Sequence, residues 1–163
     1  MASKSADSAR ALTITRVFDA PRRLVFAAWT EPEHLLRWSA PPGFRVTHSS
    51  GELRVGGAWR ACMVTPDGAE LWLSGIYREI VRDEKLVFTH AWDEDDGRPG
   101  PQTLVTVILN DLGGKTEMIF RQVGFASDAS RDGHEGGWSQ GFERLAELLG
   151  ELEQHGTTIR NDR

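Results

Sequence analysis

The feature that most constrains the fold is a change of hydrophobic period along the chain. Six runs alternate or carry β-branched and aromatic residues, Phe44–Leu53, Ala58–Thr65, Glu70–Val81, Leu86–Trp92, Thr103–Leu112 and Lys115–Val123. Further on, Trp138, Phe142, Leu145, Leu149 and Leu152 recur at helical spacing, with Glu143, Arg144, Glu147 and Glu151 facing elsewhere. The first pattern is that of strands and the second that of an amphipathic helix. The strand breaks are Gly56-Gly57, Pro66-Asp67-Gly68, Asp83-Glu84, Asp96-Gly97 and Gly113-Gly114. Such close spacings suit antiparallel hairpins and leave no room for helical crossovers. A sheet with one apolar face needs a cover, and only the C-terminal helix is long enough to provide it.

The N-terminal part completes the order. Leu12–Phe18 reads as a strand, ended by Asp19-Ala20-Pro21, where Asp19 is expected to cap a helix that runs to Trp29. Thr30-Glu31-Pro32-Glu33 is a second start signal, with Thr30 as the expected cap of a short helix from Pro32 to Trp38. Asp128 to Gly137, rich in Gly, Ser and Asp, reads as a loop. The fold class expected is therefore α+β, a helix-grip: a curved antiparallel sheet of six or seven strands wrapped around a long C-terminal helix, with two short helices after the first strand. A strongly bent sheet cannot touch one helix everywhere, which leaves an apolar pocket between them. Residues 1–10 read as a disordered lead, 11–153 as the domain, and 154–163 as a flexible tail.

Composition excludes several function classes. No apolar run approaches the roughly 18 residues that span a bilayer, and the first ten residues lack a secretory h-region. A net charge of −5 argues against a nucleic-acid partner. Cys62 is the single cysteine, so no internal disulfide can form; a reducing, cytoplasmic location is expected. Six Trp and seven Phe against one Tyr point instead to a ring-lined core or pocket.

Motifs for catalysis and metals have simpler explanations. Gly137-Trp138-Ser139-Gln140-Gly141 fits G-x-S-x-G, but a nucleophile elbow needs a strand before it and an acid and then a histidine after it. Here only His155 and then Asp162 follow, in reversed order, so the segment reads as a helix start. Gly114-Lys115-Thr116 precedes a strand where a phosphate loop needs a helix. Asp93, Asp95 and Asp96 lack the spacing of a calcium loop and read as a solvated hairpin tip. His34, His48, His90, His134 and His155 make no metal-ligand spacing with each other or with Cys62, so neither a metal nor a cofactor is expected.

His90 is the polar residue that needs explaining. It shares a strand face with Leu86, Phe88 and Trp92, and an unpaired polar ring on an interior face costs roughly 1–3 kcal/mol. Either it has a partner within the fold or it offers a hydrogen bond to a ligand. Arg78 and Gln122 raise the same question. The expected ligand-binding residues are Trp59, Met63, Trp72, Ile76, Phe88, His90, Trp92, Phe120, Trp138 and Phe142, and no catalytic residue is assigned. Taken singly, each of the apolar ones reads first as ordinary core; as a set, some of them must face the pocket if one exists.

Phe18-Asp19-Ala20-Pro21, Val25 to Glu33, Leu36-Arg37-Trp38, Leu53 to Trp59, Gly75 to Ile80 and Gly136-Gly137-Trp138 occur in one order across residues 11 to 152. In that order they resemble the domain related to the activator of the heat-shock-protein-90 ATPase, of the START and polyketide cyclase-like superfamily. The resemblance implies a helix-grip fold with a deep hydrophobic cavity. Where that family commonly has a double Trp before a Gly-Pro turn, this chain has Arg37-Trp38-Ser39-Ala40-Pro41, which alters the expected pocket mouth. No separate N-terminal domain like that of the eukaryotic co-chaperone is seen, which weighs against direct chaperone activation. The leading expectation is a non-catalytic binder of a small hydrophobic or aromatic molecule, in sequestration, resistance or stress response. The alternatives are a polyketide cyclase or hydrolase with His90 and a carboxylate such as Glu79 as its base, and an interaction module that binds a chaperone or a second copy of itself.

Overall fold

The alternating segments form one seven-stranded sheet. The structure, a computed structural model, describes residues 10–161, with side chains through residue 154. The strands are β1 (Ala11–Phe18), β2 (Arg45–Gly51), β3 (Ala58–Val64), β4 (Glu70–Val81), β5 (Lys85–Trp92), β6 (Thr103–Asp111) and β7 (Thr116–Val123). They lie in the order β1-β7-β6-β5-β4-β3-β2, every neighbouring pair antiparallel. Two helices, α1 (Arg22–Thr30) and α2 (Pro32–Trp38), carry the chain from one sheet edge to the other, and α3 (Asp128–Asn161) is the long helix. This is the helix-grip arrangement. The lead over residues 1–9 lies outside the described residues, as do residues 162–163; α3 reaches Asn161, beyond the expected start of a tail at 154.

Bending of the sheet has local causes. Register shifts interrupt β2 between Val46 and His48 and β4 between Tyr77 and Glu79, and bulges of this kind sharpen twist. Between the β4–β5 pairs Ser74–Ala91 and Tyr77–Phe88 the ladder opens. There the Ile76 amide donates to Thr89 Oγ1 at 2.8 Å, and the Thr89 carbonyl accepts the Trp59 indole N–H at 3.1 Å. Side chains thus replace ladder bonds that the bend has broken. Gly75 permits it: a Cβ there would stand 1.8 Å from the Thr89 carbonyl oxygen and 2.5 Å from the Trp59 indole nitrogen.

The core lies between the sheet and α3. Phe142, Leu145, Leu148 and Leu149 of the helix are buried with Met118 and Phe120 of β7 and Val105 and Val107 of β6. Trp38 is fully buried, and its indole N–H donates to the Ala28 carbonyl at 2.8 Å, which locks α2 against α1. Arg144 donates to the Ala40 carbonyl at 2.8 Å and Arg16 pairs with Glu143 at 2.7 Å, tying α3 to the α2–β2 loop and to β1.

Three local expectations need correction. The cap position of α1 is Pro21, not Asp19, and that of α2 is Glu31, not Thr30; neither helix has a side-chain cap bond. Thr30 Oγ1 instead donates back to the Phe26 carbonyl at 2.9 Å, so its hydroxyl is engaged one turn earlier. The expected loop from Asp128 to Gly137 is the start of α3. Ser127 caps it, its Oγ accepting the Ser130 amide at 3.1 Å, and the His134 ring packs on Phe125 with centroids 5.0 Å apart. Tertiary packing and the cap together outweigh three glycines of poor helix propensity.

Candidate functional site

Where the bent sheet parts from α3, a pocket opens beneath α1 and α2. It holds about 730 Å3 of empty space, its solvent-open mouth included. Thr30, Pro32 and Leu35 stand on the α1–α2 side, and Trp59, Ala61 and Met63 project from β3. Leu73 and Tyr77 come from β4, Phe88 and His90 from β5, and Trp138 from α3. A second, smaller lobe of about 440 Å3, again counted with its mouth, shares Met63, Leu73, His90 and Trp138 with the first and adds Trp92 and His134.

Five of the ten expected ligand-binding residues therefore line the main pocket: Trp59, Met63, Phe88, His90 and Trp138. Trp92 lines the smaller lobe. Phe120 and Phe142 are fully buried in the packed core. Trp72 and Ile76 lie on the opposite face of the sheet, because on β4 it is Leu73 and Tyr77 that turn inward and side chains alternate. There Trp72 packs at a tilt against His48, centroids 5.5 Å apart, and lies 4.5 Å beneath the guanidinium of Arg60. Trp29, Tyr77, Leu73 and His134 are wall residues that the sequence reading left out. Alternation from Gly75 would have pointed to Tyr77, and the Ser127 cap would have placed His134 on a helix. Nothing in the local pattern marks Trp29, which a core helix position explains equally well.

His90 answers the question it raised. It is 4% exposed and enclosed by rings: Trp59, Trp92, His134 and Trp138 lie with centroids 5.6–6.1 Å away. No other residue hydrogen-bonds its imidazole among the described residues. Burial, with a smaller contribution from His134, drives its pKa down to about 3, against a weak opposing effect of its own backbone. The ring is neutral across the physiological range. His134 has a fixed tautomer: Nδ1 lies 2.7 Å from the Ser130 carbonyl and must donate to it, leaving Nε2 to accept the Trp92 indole N–H at 3.0 Å.

Other inward polar groups satisfy one another. Trp138 donates to Gln122 Oε1 at 2.8 Å, Gln122 Nε2 to Thr103 Oγ1 at 2.8 Å, and Thr103 Oγ1 to the His90 carbonyl at 3.1 Å. Gln122 is thus an inward residue with both ends of its amide engaged, whereas Arg78 is exposed. Glu79 is half-exposed and paired with Lys85 at 3.2 Å, so the titratable neighbour of His90 is His134 and not a carboxylate. Ser139 is exposed in the middle of α3, which removes the strand-to-helix elbow that a nucleophile would need. Among the described residues, the one side-chain cluster with metal-ligand potential is Glu31, Glu33 and His34; both carboxylates are exposed, and none of the three lines the pocket. No helix among the described residues is long and apolar enough to cross a membrane.

A bent antiparallel sheet closed by one long helix, with a ring-lined pocket between them, defines a helix-grip domain of the START-like class. Residues 19–150 match the family described as Activator of Hsp90 ATPase homolog 1-like protein, and the chain belongs to that family. Among solved structures it is similar to a protein from Arthrobacter aurescens, with 28% identity, 88% of each chain covered and a TM-score of 0.80. A protein from Chromobacterium violaceum is 27% identical, with 86% of this chain and 96% of that one covered and a TM-score of 0.79. The AHSA1 protein from Silicibacter pomeroyi is 26% identical, with 87% and 99% covered and a TM-score of 0.78. No curated protein matches the chain.

Proposed function

We propose that this protein binds a small, uncharged, mainly aromatic or hydrophobic molecule in the pocket between β3–β5 and α3, without catalysing its conversion. The observation that carries this reading is the character of the wall. Trp29, Trp59, Tyr77, Phe88 and Trp138 present ring surface, and among the described residues no Asp, Glu, Lys or Arg lines the pocket. A charged ligand would lose its hydration there without a counter-charge, at a cost of several kcal/mol. A flat apolar one gains about 25 cal/mol for each Å2 it removes from water.

The cyclase or hydrolase alternative is disfavoured by the same site. A general base works best with a pKa near the operating pH, and His90 titrates far below it with no carboxylate to raise it. Native mass spectrometry of protein purified from cell extract tests the binding reading. The expected result is a non-covalent small-molecule adduct, or uptake of one from an added mixture of neutral aromatic compounds. A mass spectrum of bare protein under both conditions contradicts the reading.

A further inference from the structure

The outer face of the sheet, turned away from α3, carries apolar side chains that stay exposed. Ile119 of β7 stands directly opposite Ile108 of β6, and the same row runs on through Lys85 of β5 to Val81 at the end of β4. Val17 of β1 and Leu104 of β6 lie on this face to either side of the row. Val17 is 53% exposed, Val81 39% and Leu104 37%, where a solvated sheet face ordinarily carries polar residues. None of these residues lines the pocket.

β-branched residues suit strands wherever they fall, so Val17, Ile108 and Ile119 alone say little. The charges give the face a direction. Glu117 and Arg121 stand two residues before and two after Ile119, on the same face of β7 and about 13 Å apart. Neither has an ion partner among the described residues. Glu117 accepts the Asn110 amide at 3.1 Å, and Arg121 donates to Thr13 Oγ1 at 3.4 Å.

We infer that this face pairs with the same face of a second copy, in a two-fold dimer whose axis lies in the interface along the Ile119–Ile108 row. Rotation about that axis reverses the strands and leaves the row in place. Ile119 and Ile108 then meet their counterparts, and Arg121 of each copy meets Glu117 of the partner subunit, so one arrangement makes two ion pairs. The strands of the two sheets run closely aligned, as in a β-sandwich. Lys85 lies on the row too, but Glu79 of its own chain holds it at 3.2 Å. At about 4.8 Å between strands and about 3.3 Å per residue, the face over β1, β7, β6 and β5 covers roughly 500 Å2. Two copies together bury about 1,000 Å2, the lower bound of a specific interface, so the dimer is weak and concentration-dependent.

Sedimentation velocity of the full chain over a concentration series tests this pairing. The wild type is expected to rise from the monomer's 18.1 kDa toward twice that mass. Ile119→Lys sets like charges against each other on the axis and should weaken association at least about ten-fold. Arg121→Glu should do the same. Combining Arg121→Glu with Glu117→Arg should restore the wild-type association, because the exchanged charges meet again across the axis. All three positions face outward, and thermal unfolding of each variant checks that the fold is kept. If Ile119→Lys does not fold, the charge exchange alone decides. A wild type that stays monomeric at every concentration overturns the inference and leaves the face to a different partner or to solvent. So does a dimer that Ile119→Lys leaves intact, or one that the double exchange fails to restore.

Discussion

His90 shows how far one residue can be read before its surroundings are known. Its strand face, shared with Leu86, Phe88 and Trp92, follows from alternation, and the structure puts Phe88 and His90 in the pocket wall. What the sequence leaves open is the company it keeps, because the rings of Trp59 and Trp138 arrive from 31 residues before and 48 residues after it. Burial has a measurable consequence. The unfolded chain takes up a proton near pH 6.5 that the folded protein refuses until about pH 3. Between those values the unfolded state binds more protons, so stability falls as pH falls, by up to about 1.4 kcal/mol per pH unit from this group. Urea denaturation at pH 7 and pH 5 should show that loss, and His90→Gln should reduce the slope. An unchanged slope in the variant would place the pH dependence elsewhere.

At the scale of elements, the sequence was most legible where a period runs uninterrupted. β4 and α2 fall at the bounds that pattern and turn residues predict, and the other strands differ by a residue or two at their ends. It was least legible at the start of α3, where Gly133, Gly136 and Gly137 argue for a loop and only the Ser127 cap and the packing of His134 argue for a helix. Two glycines then carry opposite predictions. Gly136 is exposed, and a Cβ there meets nothing within 4 Å, so Gly136→Ala should stabilise the protein by about 0.5–1 kcal/mol. Gly75→Ala must push the Trp59 indole off the Thr89 carbonyl and should cost about 1–3 kcal/mol, together with a shift of the Trp59 signal. Thermal unfolding of both variants reads the signs directly; a neutral Gly75→Ala would mean that the β4–β5 opening does not depend on that close approach.

On the scale of the whole molecule, the order of strands, short helices and long helix was enough to predict the helix-grip, and the family match over residues 19–150 agrees with it. The pocket's outline was only half legible. Alternation alone cannot say which face of β4 turns inward, so Trp72 and Ile76 were assigned a wall that belongs to Leu73 and Tyr77. Phe120 and Phe142 carry the same aromatic signal as pocket rings but are buried in the core beneath them. Wall and core use the same residues, and only the geometry of closure separates them.

The central claim is that this space takes up a neutral aromatic molecule. Ala61 projects into it from β3 beside Trp59 and Met63, so Ala61→Phe should fill the pocket while the buried core stays intact. Calorimetric titration of 2-acetylnaphthalene into the wild type and into Ala61→Phe tests the claim most directly. Saturable one-to-one binding to the wild type, weakened at least about ten-fold in a variant that still unfolds cooperatively, is the predicted result. Absence of binding to the wild type, or equal binding to both proteins, would contradict it.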